Sequence, residues 1–398
     1  MALVFCGIAA ADVDPNEADA DGTSALHWAV HRGDLDSVAA LLAAGATVDA
    51  PNRYGVRPAY LAAENGDAAI MRALLEAHAD PRAVFAEGET LLMTAARTGD
   101  VATIEALLAA GADVNAVEAR GGQTALMWAA AENNGPAVTV LIKAGAERDR
   151  REATGELTAL AFAVRGGAAA ATRALLDAGA DPSATLPDGT SMLVLAVLNQ
   201  NYEAASVLLD NGADPNTAVD GWTALHQIAR VRRWTRGFNL PGPEHRDQLG
   251  SLELVRQLAA RGADVNSRQT GQRDGGTTPF LLATRSLDLP YMRTLLELGA
   301  GTVNDANSRN ETPLHGVMYR GGSIALIDFL VERGVKLEGV VNSRGWTPLR
   351  IADGVALDGI AFIRYPDAAA HLRELMQAQG LPVPPIEWDG PRSDGAAQ

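Results

Sequence analysis

Two phrases return along this chain at a near-constant interval, and that periodicity constrains the fold more than any other feature. The first has the form G-x-[ST]-x-L followed by small residues, at 22–26, 88–92, 122–126, 189–193, 221–225 and 345–349. Variants stand at 276–280, ending in Phe, and at 310–314, where Asn310 replaces the glycine. The second phrase has the form L-L-x-x-G-A-D, as at 107–113, 175–181 and 208–214. Its glycine recurs at Gly45, Gly111, Gly145, Gly179, Gly212, Gly262, Gly299, Gly334 and Gly380, with His78 in that place once. A unit of about 33 residues is too small to bury its own apolar face, so such units are stable only when stacked on neighbours. Length alone would suggest two or three domains for 398 residues. The repeat replaces that expectation with one continuous array.

Within a unit the local signals agree. Thr124 and Thr223 stand where a hydroxyl can accept from the first free N–H groups of a helix. Leu126, Ala129 and Ala130 give that first helix a small face suited to close packing, while Ile104, Leu107 and Leu108 give the second helix an apolar stripe. Gly111 then fits the left-handed position that ends a helix.

Residues 312–315 read T-P-L-H, and 24–27 (S-A-L-H) and 223–226 (T-A-L-H) are close variants. A repeat near 33 residues with T-P-L-H-x-A resembles the ankyrin repeat. About ten repeats are expected, beginning near residues 21, 54, 87, 121, 155, 188, 220, 274, 310 and 344. The resemblance implies an all-α fold, an α-solenoid of helix-turn-helix units with β-hairpin-like fingers. Segments 225–268, 123–132, 346–355 and 367–376 are further similar to a group of bacterial, often exported, multi-ankyrin-repeat proteins of unassigned activity. That likeness supplies a fold and a compartment, but no site residues. Residues 295–310 depart from the group, whose connection there is longer, and make the register of repeats eight and nine the least fixed.

The expected organisation is a truncated repeat or cap remnant at 1–20, a repeat domain at 21–380, and a disordered Pro-rich tail at 381–398. The first residues match the second half of a repeat. An upstream segment is therefore expected, and with it a periplasmic or secreted location if that segment is a signal peptide, a cytoplasmic one otherwise. Insertions fall near 231–250 and 354–365. The first carries Arg233, Trp234 and Phe238, residue types favoured at interfaces.

Composition excludes several functions. Lys and Arg total 33 against 49 Asp and Glu, a net charge of −16 that argues against nucleic acid and anionic lipid as partners. The apolar runs are too short for membrane insertion. Cys6 is alone, so neither a disulfide framework nor a cysteine zinc site is expected. His27, His226 and His315 occupy the T-P-L-H position, where the resemblance implies a structural histidine. His31, His245 and His371 fall on different repeats, with no H-x-x-x-H or C-x-x-C pair for a metal. No cofactor and no catalysis are expected.

One column remains. Seven residues after each repeat's threonine lies a slot that the fold places on the concave side, and it holds His31, Glu64, Arg97, Ala131, Arg165, Leu198, Arg230, Arg285 and Tyr319. Arg32 and Arg320 adjoin it, and Trp222 and Trp346 stand at nearby hairpin tips. Arginine at four of these nine slots predicts a surface for an acidic protein or peptide, through charge-assisted bonds. Internal pairing with Glu64, Glu87, Glu89 or Glu132 is the competing reading, and capture of a small anionic ligand the alternative function. Three positions before the column, Trp28, Leu61, Trp128, Phe162, Leu195 and Leu282 form either an apolar ladder or inter-helix packing. The expected protein is a monomeric, non-catalytic binding scaffold.

Overall fold

A computed structural model describes residues 14–232, 249–271, 275–357 and 361–386. Twenty α-helices lie among them, and the chain divides into two compact units, Met1–Pro187 and Asp188–Gln398.

In the first unit, the inner helices are α1 (Ala25–His31), α3 (Pro58–Asn65), α5 (Leu91–Thr98), α7 (Ala125–Ala131) and α9 (Ala159–Gly166). Each is followed by an outer helix: α2 (Leu35–Ala43), α4 (Ala68–Glu76), α6 (Val101–Ala109), α8 (Gly135–Lys143) and α10 (Ala169–Asp177). Inner helices stack on inner helices and outer on outer. Small residues permit the close approach: Ala62, Ala63, Ala95, Ala96, Ala129, Ala130 and Ala163 are all fully buried. Ile104 and Leu107 of α6 and Val138 and Leu141 of α8 fill the space between the two rows.

The helix ends follow the sequence signals. Thr124 Oγ1 accepts from Met127 N, and Thr90 and Thr158 cap α5 and α9 in the same way. Gly111 ends the α6 turn with φ +94°, where a side chain is disfavoured. His78 adopts that conformation without being glycine, at φ +67°. Helix α10 has no cap of its own, because Ala168 precedes it. Asn133 of the previous repeat supplies one: its Oδ1 accepts from Ala170 N (2.9 Å) and Ala171 N (3.1 Å).

The second unit repeats the plan. Its inner helices are α11 (Met192–Leu198), α13 (Ala224–Val231), α15 (Pro279–Ser286), α17 (Pro313–Met318) and α19 (Pro348–Asp353). The outer ones are α12 (Tyr202–Asp210), α14 (Ser251–Ala260), α16 (Leu289–Glu297), α18 (Ile324–Val331) and α20 (Pro366–Ala378). A finger before α13 is a short antiparallel ribbon, β1 (Ala218–Val219) with β2 (Trp222–Thr223). Around repeats eight and nine the connection is regular: Asn266 Nδ2 donates to Gly299 O and Asn304 Nδ2 to Gly334 O.

Both insertions leave their mark. Residues 233–248 lie outside the described residues, but the flanks do not. Arg232 pairs bidentately with Asp288, Nε to Oδ2 at 2.5 Å and Nη2 to Oδ1 at 3.0 Å, while its Nη1 donates to Ser251 Oγ at 2.6 Å. One guanidinium thereby joins the start of the insertion, its end and the next repeat. The second insertion contains a β-hairpin, β3 (Val355–Leu357) with β4 (Ala361–Ile363), in register Ala356↔Phe362. It is bracketed by another bidentate pair, Arg373 with Asp353, both contacts at 2.7 Å. Residues 381–386 have no regular structure, and Ile386 is 70% exposed. The cap remnant at 1–13 and the rest of the tail, with Trp388, lie outside the described residues.

Candidate binding surface

The column predicted from the sequence falls on the last turns of the inner helices or the residue just after them. Apart from Tyr319, which follows Gly316, each column residue lies three positions after another side chain on the same helical face, so the two positions can act as floor and lid. The identities differ between repeats, and so does the chemistry.

In the first unit, Trp28 and His31 meet edge to face, with centroids 6.1 Å apart. Arg32 is exposed beside them. Glu64 and Arg97, from neighbouring repeats, approach only to 4.0 Å, and both are largely exposed. Tyr60, behind them, stacks on Phe85 of the next finger at 4.4 Å. Burial, with Glu89 and Glu64 nearby, pushes the Tyr60 phenol up. Arg165 lays its guanidinium over Phe162, 5.1 Å from the ring centre, a cation–π contact. Between Arg97 and Arg165 stands Ala131, exposed and unable to cover Trp128 below it. Trp128 is half-buried, and its Nε1 is buried without a hydrogen-bond partner.

The second unit is more closed. Leu195 and Leu282 of the floor are buried, so the apolar ladder there is packing. Arg230 is exposed; it donates to Gln227 Oε1 at 3.1 Å and lies over Trp222 at 5.1 Å. Arg285 is engaged from the next repeat: it forms a short ion pair with Glu311, which is 8% exposed and also accepts from Asn307 Nδ2 at 2.8 Å. Tyr319 is half-buried beside Glu311, and its hydroxyl accepts from Asn342 Nδ2 at 2.8 Å. Burial and the Glu311 carboxylate push its phenol up to about 12. Arg344 covers Trp346 at 5.1 Å, and Arg320 is exposed. Arg233, Trp234 and Phe238 lie outside the described residues, as does His245.

The column is therefore of two kinds. Arg285 serves the fold, whereas Arg97, Arg165 and Arg230 present charge at an exposed surface. Sequence spacing treats all four alike. The partner that separates Arg285 sits 26 residues later, on a finger. The repeat pattern does not single out Asn133 and Asn134. Asn134 Nδ2 donates to Ala96 O and Arg97 O, both at 2.9 Å, holding the end of α5 while Asn133 holds α10. Their signal is their place directly after α7, where two amides can reach both neighbouring repeats.

The three T-P-L-H histidines are structural, as the resemblance implied. His27, His226 and His315 are fully buried, and each directs Nε2 at a carbonyl of the next finger: Val56, Thr277 and Trp346, all at 3.0 Å. Burial lowers all three below the ordinary histidine range, His226 to about 4. Among the described residues no group of three or more His, Cys, Asp or Glu could hold a metal, and no helix is long and apolar enough to cross a membrane.

A family model described as ankyrin repeats matches three times, at residues 2–84, 62–152 and 160–233, together more than half the chain. The first match begins at residue 2, ahead of the described structure. Among solved structures, the crystal structure of the human ASB11 ankyrin repeat domain matches with 23% identity. That alignment covers 62% of this chain and 99% of the other, with a TM-score of 0.48. No curated protein matches.

Proposed function

The chain belongs to the ankyrin-repeat family, and from that premise we propose that it is a non-catalytic scaffold whose inner-helix ends and fingers bind a protein or peptide of acidic character. Ankyrin repeats mediate protein–protein interaction, and the family is typically non-catalytic. The observation that carries the finer reading is the exposure of Arg97, Arg165 and Arg230, two of them stacked on aromatic rings. A guanidinium held over a ring keeps its donors directed outward and loses less freedom on binding a carboxylate. Tyr54, 59% exposed at a finger tip under the Arg53 guanidinium, repeats the pairing outside the column. The repeat-seven insertion, with Trp234 and Phe238, remains part of the proposed surface.

The test is affinity capture from a matched extract with the wild type and with a triple variant, Arg97→Glu, Arg165→Glu and Arg230→Glu. All three positions are exposed, so circular dichroism should be unchanged. A protein held by the wild type and released by the variant supports this surface. A protein held equally by both places the interface elsewhere. Capture of a small anion is the second reading, favoured by the same guanidinium groups. Calorimetry with inorganic phosphate and citrate separates it from macromolecular binding.

A further inference from the structure

We propose that the gap over Trp128 is the anchoring subsite of that surface, and that it takes a large apolar side chain from an extended protein segment with carboxylates on either side. The inference rests on the proposed binding function and specifies its partner. Three observations converge on the gap. First, the floor and lid positions of α9 are Phe162 and Arg165, and the lid lies over the floor. In α7 the same positions are Trp128 and Ala131, so a methyl group stands where a guanidinium would be. Second, the indole Nε1 of Trp128 is buried with no acceptor. An orphaned buried donor costs about 1–3 kcal/mol, and phenylalanine would fill the floor without that penalty. Local rules broken at a cost to the fold point to a site rather than to packing. Third, the surroundings are held in place. Asn134 fixes the end of the helix bearing Arg97, and Asn133 caps α10, the partner of the helix bearing Arg165. A surface ordered before binding loses little further entropy on association.

The charge pattern names the occupant. Arg97 and Arg165 flank the gap, each one repeat away, and neighbouring helices pack about 8–10 Å apart. An extended segment advances about 3.3 Å per residue. Carboxylates about three residues before and after the inserted side chain would therefore meet the two guanidinium groups. Arg97 gives up only a 4.0 Å contact with exposed Glu64 and a side-chain interaction with Tyr60 in exchange. Glu132, exposed at the end of α7, opposes an acidic segment, so Glu132→Gln should tighten binding.

The experiment selects binders to the full chain from a randomised peptide library, then measures their affinities by fluorescence anisotropy. Three variants are compared with the wild type: Trp128→Ala, Ala131→Arg and, as a control on the outer helix α18, Ile324→Ala. Ala131→Arg alters only an exposed position and rebuilds over Trp128 the cover that Arg165 gives Phe162, so it tests the gap without disturbing the core. The expected result is a set of peptides with an aromatic or large aliphatic residue and Asp or Glu about three places to each side. Their affinity should fall about tenfold or more in both repeat-four variants and should not change in Ile324→Ala. Peptides that bind Trp128→Ala and Ala131→Arg as well as wild type would overturn the subsite and leave the broader binding function standing. A library that yields no binder at all counts against both.

Discussion

His226 Nε2 lies 3.0 Å from the carbonyl oxygen of Thr277, a residue 51 positions later in the chain. A carbonyl only accepts, so Nε2 carries the proton. Nδ1 is then the acceptor, facing Thr223 Oγ1 at 2.8 Å and Thr223 N at 3.3 Å. A second ring proton would point at an N–H group. The imidazole is held neutral by burial and by this geometry, and one ring joins a helix cap to the finger of the next repeat.

This arrangement sets a pH dependence. The folded-state value for His226 is lowered to about 4, against about 6.5 when unfolded. Between those values the unfolded chain binds a proton that the folded chain refuses, so stability falls as pH drops from about 6.5 toward 4. The contribution of His226 approaches roughly 3 kcal/mol at the lower limit, and His27 and His315 act in the same direction. Glu118 and Glu152 follow at lower pH. Burial raises both, but backbone N–H groups at their finger tips, joined for Glu152 by the Thr154 hydroxyl, outweigh it and hold them below the usual range. Urea melts from pH 7 to pH 4.5 should show the histidine phase first. His226→Gln should be less stable at pH 7 and lose less between pH 6.5 and 4.5; an unchanged slope would contradict the assignment.

A second prediction concerns the asparagine that ends the loop between repeats. Asn115 bridges to the next repeat with both ends of its amide: Nδ2 donates to Gly145 O at 3.1 Å, and Oδ1 accepts from Glu147 N at 2.8 Å. Asp49 occupies the equivalent place. Its Oδ2 accepts from Asp80 N at 2.9 Å, but its Oδ1 is buried and unpartnered, because a carboxylate has no donor to offer. Asp49→Asn should stabilise the protein by about 1 kcal/mol, read as a raised denaturation midpoint with unchanged slope. No gain, or a loss, would mean that the oxygen does not stand in the amide's place.

The two kinds of column arginine should also separate on mutation. Arg285→Ala strands the buried Glu311 carboxylate and should destabilise by about 3 kcal/mol. Arg97→Ala removes a loose, exposed contact with Glu64 and a side-chain interaction with Tyr60, and should cost less than about 1 kcal/mol. Equal costs in chemical denaturation would remove the distinction between a fold arginine and a surface arginine.

Much of the fold was legible because its determinants are local and periodic. Thr124, Gly111 and His226 each act on residues within a turn or on the adjoining repeat, and their spacing in sequence is their spacing in the structure. What escaped was what one repeat does for another. Ala168 leaves α10 uncapped, and only the packed structure shows Asn133 filling the role. The pairing of Arg285 with Glu311 crosses from a helix to a finger, which a column of equivalent slots does not encode. The β-hairpin of the second insertion did have a signal, Asp358-Gly359 between two apolar runs, the dipeptide favoured in tight hairpins. For Trp128 the sequence alone leaves packing and ladder open. Its distinction came from comparing it with Phe162, because only there does the missing lid become visible.

Hydrogen–deuterium exchange on the full chain, free and saturated with a selected binding segment, decides whether the inner-helix ends form the binding surface. Binding by the inner-helix ends predicts slowed exchange in Leu91–Thr98, Ala125–Ala131 and Ala159–Gly166. The outer helices Val101–Ala109, Gly135–Lys143 and Ala169–Asp177 should be unchanged. Protection confined to the outer helices, with the inner ones unaffected, would contradict the account.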